Sequence, residues 1–214
     1  MFYVIYIHIS NINFLHTLHR WRKNTNFELG TRVPLIISVP DLSKSRLGAR
    51  DSKNFVELVD LMPTIADLAG IDVQSIVKNE TKLAGVSLKE FIYKDDPVIT
   101  KNASFSQYPR APRNMKIPYA HNGIDHKNRS KFKVMGYSVR TADWRYTEWR
   151  LWNNKTLSGK WDVTPIGIEL YDHRNEVSFP TNFDVGENDN IISKYKNSKV
   201  VEELANLLKE MFDP

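Results

Sequence analysis

The hydrophobic and polar positions follow different patterns in the two halves of the chain. In the first half, the continuous apolar run 32–39 is typical of a strand buried in an α/β sheet. A polar loop separates it from residues 55–60, which alternate like a second strand. Residues 61–69 then follow helical spacing, and residues 85–93 offer a further short helix. This half is therefore predicted to be α/β.

The predicted helix 61–69 carries start and stop signals. Asp60 can cap its first turn, Pro63 is tolerated within that turn, and Gly70 ends the helix. These three residues set the predicted bounds.

The second half is predicted to be an antiparallel sheet with a closing helix. Aromatic and β-branched runs predict four strands, at 104–108, 132–140, 144–152 and 166–172. Apolar residues at helical spacing predict a helix over 198–212: Val201, Leu204, Leu207, Leu208 and Met211. A charged linker separates the two halves, with the boundary near residue 97.

The first 20 residues are rich in apolar side chains, yet they do not form a convincing signal peptide. They lack a basic start, and His8, Ser10 and Asn11 interrupt the apolar run. The run is also too short to span a membrane. We interpret it as a buried strand or as sequence foreign to the fold.

The positive charge is concentrated between residues 101 and 160. This segment holds thirteen Lys and Arg against three acids, whereas the whole chain has a net charge of only +5. Arg140, Arg145 and Arg150 lie in the predicted hairpin 132–152. Such asymmetry indicates either a surface for an anionic partner, such as nucleic acid, membrane or a sulfated glycan, or solvated strand faces with scattered ions.

Candidate chemistry in the side chains is sparse. The chain has no Cys, which excludes disulfides and thiolate metal sites. It also has no Gly-rich phosphate loop and no Ser in a nucleophile motif. The spacing of His8, His16 and His19 matches no common helical zinc motif. Four sequons are possible N-glycosylation sites if the chain enters the secretory pathway: Asn79, Asn102, Asn128 and Asn154.

Five collinear blocks resemble the C-terminal part of the sulfatase family, and most closely the iduronate-2-sulfatase group. They are WRKNTNFELGTRVPLIISVP (21–40), FVELVDLMPTIADLAGIDV (55–73), SFSQYPR (104–110), VMGYSVRTADWRYTEW (134–149) and IELYDH (168–173). The resemblance implies an α/β fold, the C-terminal portion of an alkaline-phosphatase-like sulfatase fold plus a smaller antiparallel sheet and helix subdomain. The implied domains are a non-family segment 1–20, the α/β part 21–97 and the C-terminal subdomain 98–214.

The family resemblance also implies a chemistry, most of which lies outside this chain. Sulfatases hydrolyse sulfate esters with a formylglycine made from a Cys-x-Pro-Ser-Arg motif and with calcium held by Asp side chains. Neither the nucleophile motif nor calcium ligands are retained here, and the positions equivalent to an Asp-His-Gly motif fall on Ser10 and Asn11. No catalytic or metal residue is therefore assigned, and the isolated chain is expected to be inactive.

One family site residue has a counterpart in this chain. Lys23, within WRKNTNFE, matches the family lysine that contacts the substrate sulfate. His19 is one position out of step with the family histidine and is not assigned.

The resemblance further implies the partner and the compartment. The expected partner is a sulfated glycosaminoglycan, heparan or dermatan sulfate, with no nucleic acid and no membrane span, in a lysosomal or secreted glycoprotein. The hairpin arginines could then line the glycan cleft, whereas Tyr137, Trp144 and Trp149 are interpreted as core residues. Two alternatives remain open: a non-catalytic basic module that binds sulfated glycans, and an incomplete gene model.

Overall fold

The chain folds into two compact units. One contains residues Met1–Ile9 and Val33–Ser104, and the other contains Ser10–Arg32 and Phe105–Pro214. The computed structural model describes residues 4–7, 25–33, 35–39, 55–72, 83–94, 101–110, 131–174 and 187–213. Residues 25–32 thus fold with the C-terminal part of the chain, far from them in sequence. The domain bounds 21–97 and 98–214 stay a prediction.

The first unit begins with a two-stranded antiparallel sheet. Strand β1 (Val4–Ile7) pairs with β2 (Leu35–Ser38), with Ile7 opposite Leu35. The expectation of a fully buried strand over 32–39 is wrong, because Ile36 is 56% exposed and burial alternates along β2.

The first unit also contains a 3₁₀ turn and two helices among its described residues. A 3₁₀ turn (Leu58–Asp60) leads into helix α2 (Leu61–Leu68), and helix α3 (Lys89–Tyr93) follows. Helix α2 confirms the predicted helix to within one residue. The predicted helix over 85–93 is only five residues long.

Residues 55–60 do not form the predicted strand. The Asp60 carboxylate accepts hydrogen bonds from the Glu57 amide at 2.8 Å, from the Val86 amide at 2.9 Å and from Lys101 Nζ at 2.7 Å. A carboxylate that turns back onto the amide three residues earlier closes a helical turn, which no strand geometry allows. Asp60 therefore does not cap α2 with its side chain, contrary to the prediction.

The second unit is built on the predicted antiparallel sheet. Its strands run in the order β3 (Ala103–Arg110), β4 (Val134–Thr141), β5 (Trp144–Asn153) and β6 (Ser158–Gly159), and β7 (Gly167–Asp172) also pairs with β5. A short helix α1 (Glu28–Thr31), helix α4 (Ile192–Tyr195) and helix α5 (Lys199–Phe212) complete it. The predicted hairpin and closing helix are confirmed.

Helix α5 covers one face of this sheet. The Ser198 hydroxyl caps it by accepting a hydrogen bond from the Val201 amide, and Leu204 and Leu208 are buried. The rings of Tyr137 and Phe212 lie 4.6 Å apart. Because side chains alternate along a strand, Tyr137 and its cross-strand partner Glu148 belong to this helix-covered face.

None of the helices in the described ranges is both long and apolar enough to cross a bilayer.

Candidate functional site

Some of the site residues predicted from the sequence lie within the described residues, and others do not. Lys23, Asn79 and Asn128 lie outside the described residues. Asn102 and Asn154 are both exposed.

The segment Thr25–Arg32, which follows Lys23 in the sequence, packs on the sheet face opposite helix α5. Asn26 is buried and donates a hydrogen bond from Nδ2 to the Gly136 carbonyl at 2.9 Å. It accepts another from Ser106 Oγ at 3.3 Å. A Cβ at position 136 would lie 2.7 Å from the Trp149 ring and 2.9 Å from Asn26 Nδ2. Only glycine leaves room for the segment there.

Glu28 makes the strongest contacts between this segment and the sheet. Its Oε1 accepts hydrogen bonds from Arg140 Nε at 2.6 Å and from Arg145 Nη2 at 2.8 Å. Arg140 and Arg145 are directly opposite each other on β4 and β5. Two like charges at such a cross-strand pair repel, so a carboxylate between them is needed for both to be buried.

Glu187 completes the cluster from the other side of Arg145. Its Oε2 accepts the Glu28 amide hydrogen at 2.7 Å, and its Oε1 accepts from Arg145 Nε. His173 Nε2 lies 3.3 Å from the same Oε1. Two carboxylates thus balance two guanidinium groups in the buried interior, which is the condition for burying charge without a large penalty. We call Glu28, Arg140, Arg145, His173 and Glu187 the buried ion cluster.

Electrostatic interactions favour the charged forms of two members of the buried ion cluster, Arg145 and Glu187. Burial favours the neutral form of Arg145, but Glu187 and Glu28 outweigh it and raise its pKa. Burial likewise favours protonated Glu187, yet the charge of Arg145 and the hydrogen bonds it receives lower its pKa. Ionised Glu187 therefore stabilises the fold at neutral pH, and this contribution is lost only as the pH falls through the lowered pKa.

Arg150 lies on the opposite face of β5 from Arg145, as strand alternation predicts. Its Nε donates to Glu148 Oε2 at 2.7 Å, and its Nη1 donates to the carbonyls of Lys160 and Val163. The guanidinium also stacks 4.1 Å from the centre of the Trp161 ring.

The hypothesis that the hairpin arginines line a glycan cleft is wrong. Arg140, Arg145 and Arg150 are all at most 9% exposed, and carboxylates of the same unit bind them. Lys101 is likewise held by Glu57 and Asp60. The charge excess of segment 101–160 is thus partly internal. The interpretation of Tyr137, Trp144 and Trp149 as core is confirmed by their burial.

The described residues do not fit a calcium site. Within the described ranges, no group of three or more His, Asp or Glu side chains is arranged to hold a metal ion. A hard cation needs several oxygen ligands at once, so no step is assigned to a metal here.

An open depression of about 510 Å³ lies at the end of helix α2, lined in part by Asp67, Asp72 and Ser87. Lys89 binds the Asp67 carboxylate at 2.9 Å and, with Ser87, lowers its pKa. The residues that line the depression include two carboxylates and no Lys or Arg that could bind a sulfate. It does not suit the anionic substrate that the sequence predicts.

Comparisons with known proteins agree with the family resemblance. Human iduronate 2-sulfatase is 34% identical over 60% of this chain, and the mouse enzyme is 31% identical over the same share. A crystal structure of a Bacteroides thetaiotaomicron protein assigned as a sulfatase matches 87% of the chain with a TM-score of 0.55 and 22% identity. The resemblance to the C-terminal part of the sulfatase family is confirmed.

The sulfatase relationship also confirms the fold class. A phosphonate monoester hydrolase from Silicibacter pomeroyi matches 94% of the chain, with a TM-score of 0.51 and 18% identity. The chain spans 29% of the length of each iduronate 2-sulfatase, 30% of the Bacteroides protein and 36% of the hydrolase. No protein-family model matches the chain.

The sequence reasoning missed the buried ion cluster. Glu28 lies within the sulfatase-like block 21–40, and Arg145 lies within the block 134–149. Their positions in two blocks of the same family are the one feature of the sequence that could have linked them. Glu187 lies outside all five blocks, and its hydrogen bond to the Glu28 amide joins residues 159 positions apart.

Proposed function

We propose that this chain forms the C-terminal part of a sulfatase that hydrolyses sulfate esters on glycosaminoglycans, heparan or dermatan sulfate, with Lys23 contacting the substrate sulfate. The observation that supports it is the anchoring of Thr25–Arg32. Glu28 holds this segment on the sheet, between Arg140 and Arg145. A residue that positions a substrate needs rigid support from its neighbours, and a buried ion cluster provides such support.

Lys23 would act as a point charge with three donors. A sulfate ester gathers negative charge on its oxygens as the bond to the leaving group breaks, and a fixed ammonium stabilises that charge. In this proposal the described residues do not perform bond cleavage: they anchor Thr25–Arg32, the segment that follows Lys23 in the sequence.

The isolated chain is expected not to hydrolyse aryl sulfates. It contains no Cys from which a formylglycine could form, so the activated nucleophile of the family is missing. The measurement is release of 4-methylumbelliferone from its sulfate by purified chain, with and without a calcium chelator. Turnover that resists calcium removal would show a different catalytic machinery and contradict the proposal.

The alternative of a non-catalytic basic module is not supported by the described residues. It relies on the basic segment 101–160, and the three hairpin arginines of this segment are buried in internal contacts. Among the described residues of the segment, glycan binding would depend on exposed lysines such as Lys155 and Lys160, and such binding would be diffuse and would fade with salt.

A lysosomal or secreted location belongs to the same proposal, and it makes the exposed sequon at Asn154 a test. Asn154, Lys155 and Thr156 are all exposed in the turn between β5 and β6. The Asn153 side chain shapes this turn by accepting a hydrogen bond from the Lys155 amide at 3.0 Å. A glycan on Asn154 would extend into solvent without disturbing the sheet.

Secretory expression should therefore give a chain that loses apparent mass on treatment with an N-glycosidase. Asn154→Gln and Thr156→Ala should each remove the same glycan, because both destroy the sequon. Lys155→Ala keeps the sequon and serves as the control. Identical mobility of all four proteins would count against glycosylation at this turn.

A further inference from the structure

His173 is a buried titratable side chain that the proposed function does not use. It directly follows strand β7, and its backbone amide donates to the Asp143 carbonyl at 2.8 Å, so it continues the line of β7 beside β5. Its side chain is 0% exposed. Histidine ordinarily gains or loses its charge between pH 5 and 8, so a buried histidine can make a fold sensitive to pH in that range.

His173 and Arg145 meet the same carboxylate oxygen. His173 Nε2 lies 3.3 Å from Glu187 Oε1, and Arg145 Nε donates to that oxygen too. The other oxygen of Glu187 accepts the Glu28 amide hydrogen at 2.7 Å. A proton added to His173 would therefore place a positive charge beside an oxygen that a guanidinium group already holds. The carboxylate attracts this charge, and the guanidinium group repels it.

The charges on the described residues around His173 balance when its imidazole is neutral. Two carboxylates and two guanidinium groups meet from α1, β4, β5 and the stretch that leads to α4: Glu28, Glu187, Arg140 and Arg145. On either side of His173 in the sequence, Asp172 and Arg174 pair with each other at 2.6 Å. Protonated His173 would thus leave one net positive charge in a buried site, and an uncompensated buried charge is costly.

We propose that the buried ion cluster is an acid-sensitive switch, in which His173 stays neutral in the folded protein and the second unit loses stability as the pH falls below about 6.5. The unfolded chain exposes His173 to water and binds a proton there below that pH, whereas the folded chain does not. Stability falls with decreasing pH wherever the unfolded state binds more protons than the folded state. The loss continues until the pH is low enough for the folded chain to bind the proton as well.

The switch acts on the anchoring of residues 25–32. Glu187 lies between His173 and the Glu28 amide, and Arg145 holds Glu28 Oε1 at 2.8 Å. When the folded chain does take up the proton, charged His173 competes with Arg145 for Glu187. Acid is therefore expected to weaken the contacts that hold this segment on the sheet.

The test compares the full 214-residue chain with His173→Gln at pH 7.5 and at pH 5.5. Glutamine keeps a neutral nitrogen at a similar reach and cannot titrate. Urea unfolding is followed by tryptophan fluorescence, because all five Trp residues belong to the second unit. Between these two pH values, the folded-to-unfolded ratio of the wild type should fall about tenfold more than that of the variant. An equal fall in both proteins, or a larger fall in the variant, would overturn the proposal.

A second measurement decides the matter even if His173→Gln does not fold. The imidazole signals of the six histidines are followed by NMR from pH 8 to pH 5.5 in the folded wild-type chain, and again in urea. At least one signal should keep the chemical shift of a neutral ring down to pH 5.5 in the folded chain and should titrate near pH 6.5 in urea. Titration of all six signals near pH 6.5 in the folded chain would overturn the proposal.

Discussion

Glu28→Ala is expected to lower the free energy of unfolding of the second unit, which contains residues Ser10–Arg32 and Phe105–Pro214, by about 3–5 kcal/mol. The substitution leaves Arg140 and Arg145 opposite each other on adjacent strands without the carboxylate that separates their charges. Removing one partner of a buried ion pair exposes the full desolvation cost of the other, and here one carboxylate serves two arginines. Urea unfolding followed by tryptophan fluorescence measures the loss.

Glu203→Ala is the matched control for this prediction. Glu203 pairs with Lys199 at 3.3 Å on the exposed side of helix α5, and both side chains are largely in solvent. Such a surface pair contributes about 0–1 kcal/mol. If the two substitutions lower the free energy of unfolding by the same amount, the buried ion cluster does not stabilise the second unit. Glu28→Gln separates charge from shape, since it keeps the side-chain volume and removes the negative charge.

Lys23→Ala is expected to reduce kcat/KM by about 10²–10³ in a complete sulfatase that carries this sequence. The host is human iduronate 2-sulfatase in which residues 21–214 of this chain replace the C-terminal part of the enzyme. Loss of a fixed donor to the developing charge of the transition state accounts for an effect of this size. Hydrolysis of a fluorogenic iduronide 2-sulfate measures it.

Lys155→Ala provides the comparison, because Lys155 is an exposed lysine in the β5–β6 turn. Lys155→Ala changes the net charge by the same amount as Lys23→Ala and should leave kcat/KM unchanged. Equal effects of the two substitutions would mean that Lys23 acts through bulk charge, and the assignment of a sulfate contact would fail. Melting temperatures of the variants separate a loss of turnover from a loss of folding.

The elements with a strong local pattern were predictable from the sequence. Strands β4 and β5 and helix α5 begin within two residues of their predicted starts, because alternation over eight or more residues and a repeated apolar spacing leave little ambiguity. The alternation that placed Arg145 and Arg150 on opposite faces of β5 is local in the same way.

Two of the misses involve contacts between distant residues. The alternation of residues 55–60 covers only six positions, and the groups that bind the Asp60 carboxylate include residues 26 and 41 positions away. Charge counting could not show that Arg140, Arg145 and Arg150 are buried, because their carboxylate partners include Glu28, 112 positions from Arg140. At these positions, tertiary contacts outweigh the structural preference that a short sequence pattern indicates.

Turnover by the unmodified chimera tests the central claim most directly, because that claim is that residues 21–214 serve as the C-terminal part of a sulfatase. The account predicts that the chimera melts cooperatively and hydrolyses the iduronide 2-sulfate, whereas the human enzyme with that C-terminal part deleted does not. A chimera that folds with a single cooperative transition, carries the formylglycine and still releases no sulfate would contradict the account.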